Sequence, residues 1–238
     1  MSSFRHDLFL PFRIALLAVI SANPAVAAAS SPTGTVAHLP NIQMTAAKVD
    51  ASGNIYLVGQ TATSSGSSAA YLAKLSPSGT SLYAVTIGGS GSSSTAASAL
   101  AIDSTGAVYV AGTTSASDFP ISAGAAQSAG ATAFAAKLDP TGAILYAALI
   151  GGSATTQPSS IVVNSKKELI VSGQQTAGTQ EATVTSLFVL KLSADGSQVV
   201  AGPQGIGGLL AADPQDNIYI AGVPPQGSSQ PPARSVGA

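Results

Sequence analysis

The sequence has no cysteine and no tryptophan. Without thiols there is no disulfide framework, no thiolate metal site, no cysteine nucleophile and no N-terminal cysteine to carry a lipid. Charge is almost as scarce. Asp, Glu, Lys and Arg make up 8% of the residues, and the formal net charge is −1. That is about a third of the usual charged share, which suits long charged helices badly. No basic cluster exists. Electrostatic capture of nucleic acid needs several Lys or Arg on one face, so a nucleic-acid partner is discounted. Apolar residues amount to 45%, enough for a core, and Ser, Thr, Gly and Ala fill much of the remainder. That balance favours short strands joined by many turns.

The first segment reads as an address. Arg5 and Arg13 flank the start, Ile14 to Ile20 is a short apolar core, and Asn23-Pro24 breaks any helix. Ala25-Val26-Ala27 has the small-x-small pattern of a signal-peptidase site. Residues 1–27 are therefore expected to be a secretory signal peptide. The apolar run is shorter than the about 20 residues a membrane span needs, and no second candidate span follows. Residues 28–44 read as a lead-in. Residues 223–238, rich in Pro, Gly and Ser, read as an unstructured tail, with a proline-rich docking peptide as the alternative.

Between them lies a repeat, placed at residues 45–222. Four stretches share one template: Asp50 to Gly59 (DASGNIYLVG), Asp103 to Gly112 (DSTGAVYVAG), Asn164 to Gly173 (NSKKELIVSG) and Asp213 to Gly222 (DPQDNIYIAG). The anchors at 50, 103, 164 and 213 are 53, 61 and 49 residues apart. Asp or Asn bonds its own backbone two residues on and starts a turn. Gly three residues later supplies positive φ at little cost. A second pattern follows each of the first three copies, at Tyr71 to Gly89, Ala133 to Gly152 and Leu187 to Gly208. Its turns, Ser76 to Gly79, Asp139 to Gly142 and Ser193 to Gly196, carry type I turn chemistry. Alternation puts Tyr71, Ala73 and Leu75 on one face, likewise Phe134, Ala136 and Leu138, and Phe188, Leu190 and Leu192. Lys74, Lys137 and Lys191 fall on the other face.

Four strands per unit are expected, in the second unit about Ala99–Asp103, Ala107–Thr113, Ala133–Asp139 and Ile144–Ile150. A four-stranded antiparallel unit repeated near every 50 residues predicts an all-β fold, a β-propeller. Three units are complete and the fourth stops after two strands. The chain thus offers about three and a half to four blades, a four-bladed ring if Thr35 to Ile42 adds a closing strand to the last, and otherwise a piece of a six- to eight-bladed parent or a chain that assembles with copies of itself. An open blade edge would invite self-association.

With these motifs in hand, the chain resembles the bacterial SBBP-type β-propeller repeat family. Its repeats read approximately as a D-x-x-G-N-x-Y-x-x-G strand pair, an S-x-D-F-P loop, then F-x-x-K-L-x-P-x-G and a Gly-Gly ending. The second unit matches nearly throughout, including Ser117-Asp118-Phe119-Pro120. The first lacks the D-F-P loop. The third departs at Lys166-Lys167-Glu168 and at Ala201 to Gln204. The resemblance implies an exported, multibladed propeller and carries over no catalytic residues.

Residues able to do chemistry are few. After residue 34 there is one histidine, His38, and two glutamates, Glu168 and Glu181. A triad is recognised by geometry, and zinc needs three or four ligands, so no catalytic, metal or cofactor residue is assigned. Asp50, Asp103, Asp118, Asp139, Asp195, Asp213 and Asp216 could pair for glycoside hydrolysis or hold calcium. Most sit at repeated turn positions where a turn role suffices. Gly88 to Gly91 and Gly205 to Gly208 lack the lysine and helix of a phosphate loop. The tyrosines at 56, 109 and 219, at 71, and at 83 and 146 fall at repeated strand positions and are expected to pack.

The expectation is an exported, non-catalytic propeller, secreted, periplasmic or on the cell surface. It would act as a structural or protein-interaction module, with its ligand at loops such as Asp118 to Gly130. The alternative is a carbohydrate- or envelope-binding propeller. A lyase or hydrolase ranks below both.

Overall fold

The computed structural model describes residues 41–64, 66–152, 154–178, 183–202 and 205–222. The signal-peptide, tail, His38 and Glu181 readings fall outside these residues.

Among the described residues every regular element is a strand, and the protein is all-β. The first sheet runs β1 (Ile42–Val49), β2 (Ile55–Ala62), β3 (Ser68–Leu75) and β4 (Ser81–Ile87). The second runs β5 (Thr95–Ile102), β6 (Val108–Thr114), β7 (Ala133–Leu138) and β8 (Ile144–Ile150). The third runs β9 (Thr155–Val163), β10 (Leu169–Gly178), β11 (Thr183–Leu192) and β12 (Val199–Ala201). The fourth is a hairpin of β13 (Leu209–Ala212) and β14 (Ile218–Ala221). Each sheet is an antiparallel meander in chain order. The three full units and one half unit expected from the repeat are therefore present.

The turns close as their residues dictate. Gly53, Gly106, Lys167 and Asp216 donate their amides to the carbonyls of Asp50, Asp103, Asn164 and Asp213 at 3.0–3.1 Å. Gly79, Gly142 and Gly196 close the second set of turns in the same way. All seven residues have positive φ.

Two strand starts differ from expectation by more than one residue. β5 starts at Thr95, four residues early, and β1 starts at Ile42. A β-bulge lies within the first strand of each four-stranded sheet, at Thr45, Ser98 and Ser159, where one residue is left out of the register. The extra residue breaks the two-residue period, so alternation is readable only beyond it. Ile42, expected within a closing strand, instead pairs with Thr61 in the first sheet. Residues 35–40 of that segment lie outside the described residues.

The core lies between sheets, and the second and third sheets use both faces. Tyr56, Val58 and Leu72 of the first sheet pack with Val108, Val110, Phe134 and Leu138 of the second. Tyr109, Ala111 and Ala135, on the second sheet's other face, pack with Ile161, Leu169, Val171 and Phe188 of the third. Ile170 and Val189 of the third meet Ile218, Leu210 and Ile220 of the fourth. The junctions are thus the same junction repeated. One face of the second and of the third sheet meets its predecessor and the other its successor.

Hydroxyls on the bulges join neighbouring first strands. Thr45 Oγ1 donates to Ala97 O at 2.6 Å, and Ser98 Oγ donates to Pro158 O at 2.6 Å. Opposite each bulge stands the glycine that ends the template. A Cβ on Gly59, Gly112, Gly173 or Gly222 would lie 1.9–2.1 Å from a carbonyl oxygen of the first strand or its lead-in. These glycines are required by close backbone approach, with no demand for positive φ.

Candidate binding surface

The strand ends form two different surfaces. At one end lie the tight turns of the two templates, which hold most of the carboxylates. At the other lie the longer loops and the connections between sheets.

The turn aspartates are occupied by their own turns. Asp50 Oδ1 accepts the amides of Ser52 and Asn54, while Oδ2 accepts Asn54 Nδ2 and the Tyr56 hydroxyl. Asp213 repeats this set with Gln215, Asn217 and Tyr219. Asp103 takes Thr105, Ala107 and Tyr109, and also the Lys167 ammonium at 3.2 Å. Burial pushes the Asp103 carboxyl up, but these donors together outweigh it and hold it below the ordinary carboxylate range. A carboxylate so fully engaged offers neither a base nor a free ligand oxygen. Among the described residues no group of three or more His, Asp or Glu is placed to hold a metal ion.

The lysines serve the same network. Lys74 stands over the Tyr56 ring at 5.1 Å and Lys137 over the Tyr109 ring at 5.0 Å. In the third unit Ile170 replaces the tyrosine and Asn164 the aspartate. Lys191 there pairs with Glu168 at 3.0 Å, and Glu168 also accepts from Asn164 Nδ2 at 2.8 Å. The Lys-Lys-Glu departure from the template is therefore a coordinated replacement. Lys167 and Asp216 stand where the earlier units have glycine, and each reaches back one sheet, Lys167 to Asp103 and Ser104, Asp216 to Ser165.

The loop end carries a cleft of about 280 Å³ lined by Asn41, Gln43, Gln60 and the serines at 67, 68 and 92–94. Gln60 Nε2 donates to Gln43 Oε1 at 2.6 Å, and the Ser68 and Ser94 hydroxyls meet at 2.9 Å. No charged side chain lines it. Amides and hydroxyls of this kind offer both donors and acceptors.

Beside it, the loop from Ser115 to Thr132 is built into the fold. Phe119 is buried with its ring 5.1 Å from that of Phe134. Asp118 accepts the amide and hydroxyl of Ser90. The loop then runs along β8, where Ser122 N donates to Ala147 O, Leu149 N to Ala126 O and Ser128 N to Leu149 O. It covers the sheet edge that would otherwise offer unpaired backbone groups.

No protein-family model matches the chain, and comparison with curated proteins gives no match.

The sequence pointed to the turn aspartates and to the Asp118 loop. It did not point to the cleft, whose Ser-rich wall reads as linker. The bulge hydroxyls were also missed. Thr45, Ser98 and Ser159 each stand five residues before an anchor of the template, and that offset was the available signal. Among the described residues no helix is long and apolar enough to cross a membrane.

Proposed function

We propose that the chain is an exported, non-catalytic β-propeller of the SBBP-type repeat family, serving as a structural or protein-interaction module that takes its ligand at the loop end. The observation that carries this reading is the order in which the sheets meet. Each meander stacks on the next through the same pair of faces, and the first strands β1, β5 and β9 are neighbours stitched by Thr45 and Ser98. Blades around a common axis have this arrangement. The carboxylates support a non-catalytic role because they are engaged by donors of their own turns or of a neighbouring loop or sheet.

Export predicts a protein recovered outside the cytoplasm that begins at Ala28, read by N-terminal sequencing. Hydrolytic or redox turnover that survives purification and vanishes on a point mutation would overturn the non-catalytic reading.

The cleft favours one second reading, a propeller that binds carbohydrate or another envelope polymer. Its amide and hydroxyl lining suits sugar hydroxyls, although no tryptophan offers a stacking platform. Retention on a polysaccharide panel that falls when Gln43 and Gln60 are both changed to Ala supports it. Retention on no envelope polymer removes it.

A further inference from the structure

The repeated junction has two faces, and each is left open once. On the fourth sheet, Leu209, Ala211, Tyr219 and Ala221 share the face that would meet a successor, by their cross-strand pairing. Leu209 is 69% and Tyr219 53% exposed, whereas Tyr56 and Tyr109 at the equivalent position are fully buried by the sheet that follows. On the first sheet, Ala47 and Val49 lie on the face that would meet a predecessor. Val49 is 64% exposed, whereas Ile102 and Val163 at the equivalent position pack into the junctions before them. The first sheet therefore presents the surface that fits a fourth sheet, and the fourth presents its complement.

We propose that a second copy of this chain docks head-to-tail, the fourth sheet of each copy seating on the first sheet of the other. The proposal rests on the propeller reading and names a partner for it. Its basis is continuity: the interface already exists at each junction within one chain, with the same faces and the same kinds of residue. Copy number follows from ring size. Propellers close with about four to eight blades. Among the described residues one copy has three four-stranded sheets and a two-stranded fourth, and its end faces stay exposed. Two copies bring six full sheets and two hairpins, eight units in all, and three copies would exceed the range. A head-to-tail contact that closes covers every such face.

The new junction would also differ from two of the existing ones. Lys167 and Asp216 clasp backward to the preceding turn, but the first sheet has Gly53 at that position. The contact between copies is thus apolar, and raising the salt leaves it intact.

Light scattering after size exclusion of the full chain tests this. The expected mass is that of two copies, unchanged at high salt. V49E and Y219E each halve the mass, since each variant loses one of the two complementary faces from every copy. An equimolar mixture of the two variants regains the two-copy mass at the same concentration, because one intact pair of faces remains. That rescue also excludes misfolding as the cause of the single-variant loss. A one-copy wild type, variants that keep their mass, or a mixture that fails to recombine overturns the proposal. The propeller reading is checked separately in the same protein. The chain has no cysteine, so Cys at 45 and 98 are the only thiols in a T45C/S98C variant, and a short bifunctional maleimide should join them within one copy. An internal cross-link with a one-copy mass means that the sheets stack as described and docking fails. Absence of the cross-link means that the stacking itself is wrong, and the proposal falls with it.

Discussion

Tyr109 and Tyr146 are both buried, yet their hydroxyls have opposite energetics. The Tyr109 hydroxyl donates to the Asp103 carboxylate at 3.2 Å. The Tyr146 hydroxyl has no hydrogen-bond partner among the described residues. A hydrogen bond to a charged acceptor is worth about 1.5–3 kcal/mol, and an unmet buried donor costs about 1–3 kcal/mol. Tyr109→Phe should therefore lower stability by about 2 kcal/mol, while Tyr146→Phe should leave it unchanged or raise it by about 1 kcal/mol. Urea denaturation of the two variants checks the sign, and equal losses would contradict the assignment. Glycine positions divide in a similar way. A Cβ at Gly112 would lie 2.0 Å from Ala96 O and 2.8 Å from the Phe134 ring, and backbone cannot yield cheaply. Gly112→Ala should destabilise by about 1–3 kcal/mol, the usual range for overpacking. Gly152 has neither positive φ nor an atom within 4 Å of such a Cβ. Gly152→Ala should be neutral or slightly stabilising, since alanine loses less backbone entropy on folding. Parallel melts of the two variants decide between this account and a general intolerance of substitution.

The loop from Ser115 to Thr132 behaves as an element although it contains no strand of its own. Phe119 anchors it in the junction of the first and second sheets, and its backbone then protects the edge of β8. Removing the ring should cost about 3–5 kcal/mol, as for other buried aromatics cut to alanine. The more specific consequence is local. In Phe119→Ala the amides of Ala147 and Leu149, which donate to Ser122 Oγ and Ala126 O, should exchange with solvent much faster than in the parent. Exchange at the central amides of β6 should change only with global stability. Equal acceleration everywhere would mean that the loop does not guard the edge. This element also marks how far the sequence was legible. The D-F-P motif was visible, and so were the turns, because Asp, Pro and Gly act through their nearest neighbours. The second unit was placed within a residue at most boundaries for the same reason. What stayed hidden depends on another sheet. Ser98 is an ordinary serine until Pro158 O is beside it. Tyr219 is indistinguishable from Tyr56 until the sheet that covers one is seen to be missing from the other. The cleft draws its lining from three separate stretches, which meet only once the first sheet has formed.

At the scale of the whole molecule, the turns make stability depend on pH in a definite direction. Hydroxyl and amide donors depress the carboxyls of Asp139, Asp195 and Asp213, and the Ser193 and Ser197 contacts bring Asp195 down to about 2. Burial opposes the same effect at Asp50 and Asp103 without reversing it. A carboxylate with a lowered folded value contributes stability that is fully present above its unfolded value, near 4. That stability is lost as the pH falls through the folded value. Tyrosines act at the other limit. Burial, then the Asp50 carboxylate, pushes the Tyr56 hydroxyl up to about 12, and burial raises Tyr83 to about 12 as well. Their contribution is complete below about 10, the unfolded value, and disappears as the pH rises through about 12. The melting temperature should then be flat from about pH 6 to 9 and fall on both sides. Charge repulsion would also destabilise the acid form, since 9 Lys and Arg and 2 His would be left without ionised carboxylates to offset them. The two causes separate by ionic strength. Repulsion between surface charges is screened by salt, whereas a turn that has lost its acceptor is not restored. Melts at pH 2.5 with and without 0.5 M salt should therefore both lie well below the pH 7 value. Full recovery in salt would assign the acid transition to net charge and remove the turn aspartates from it.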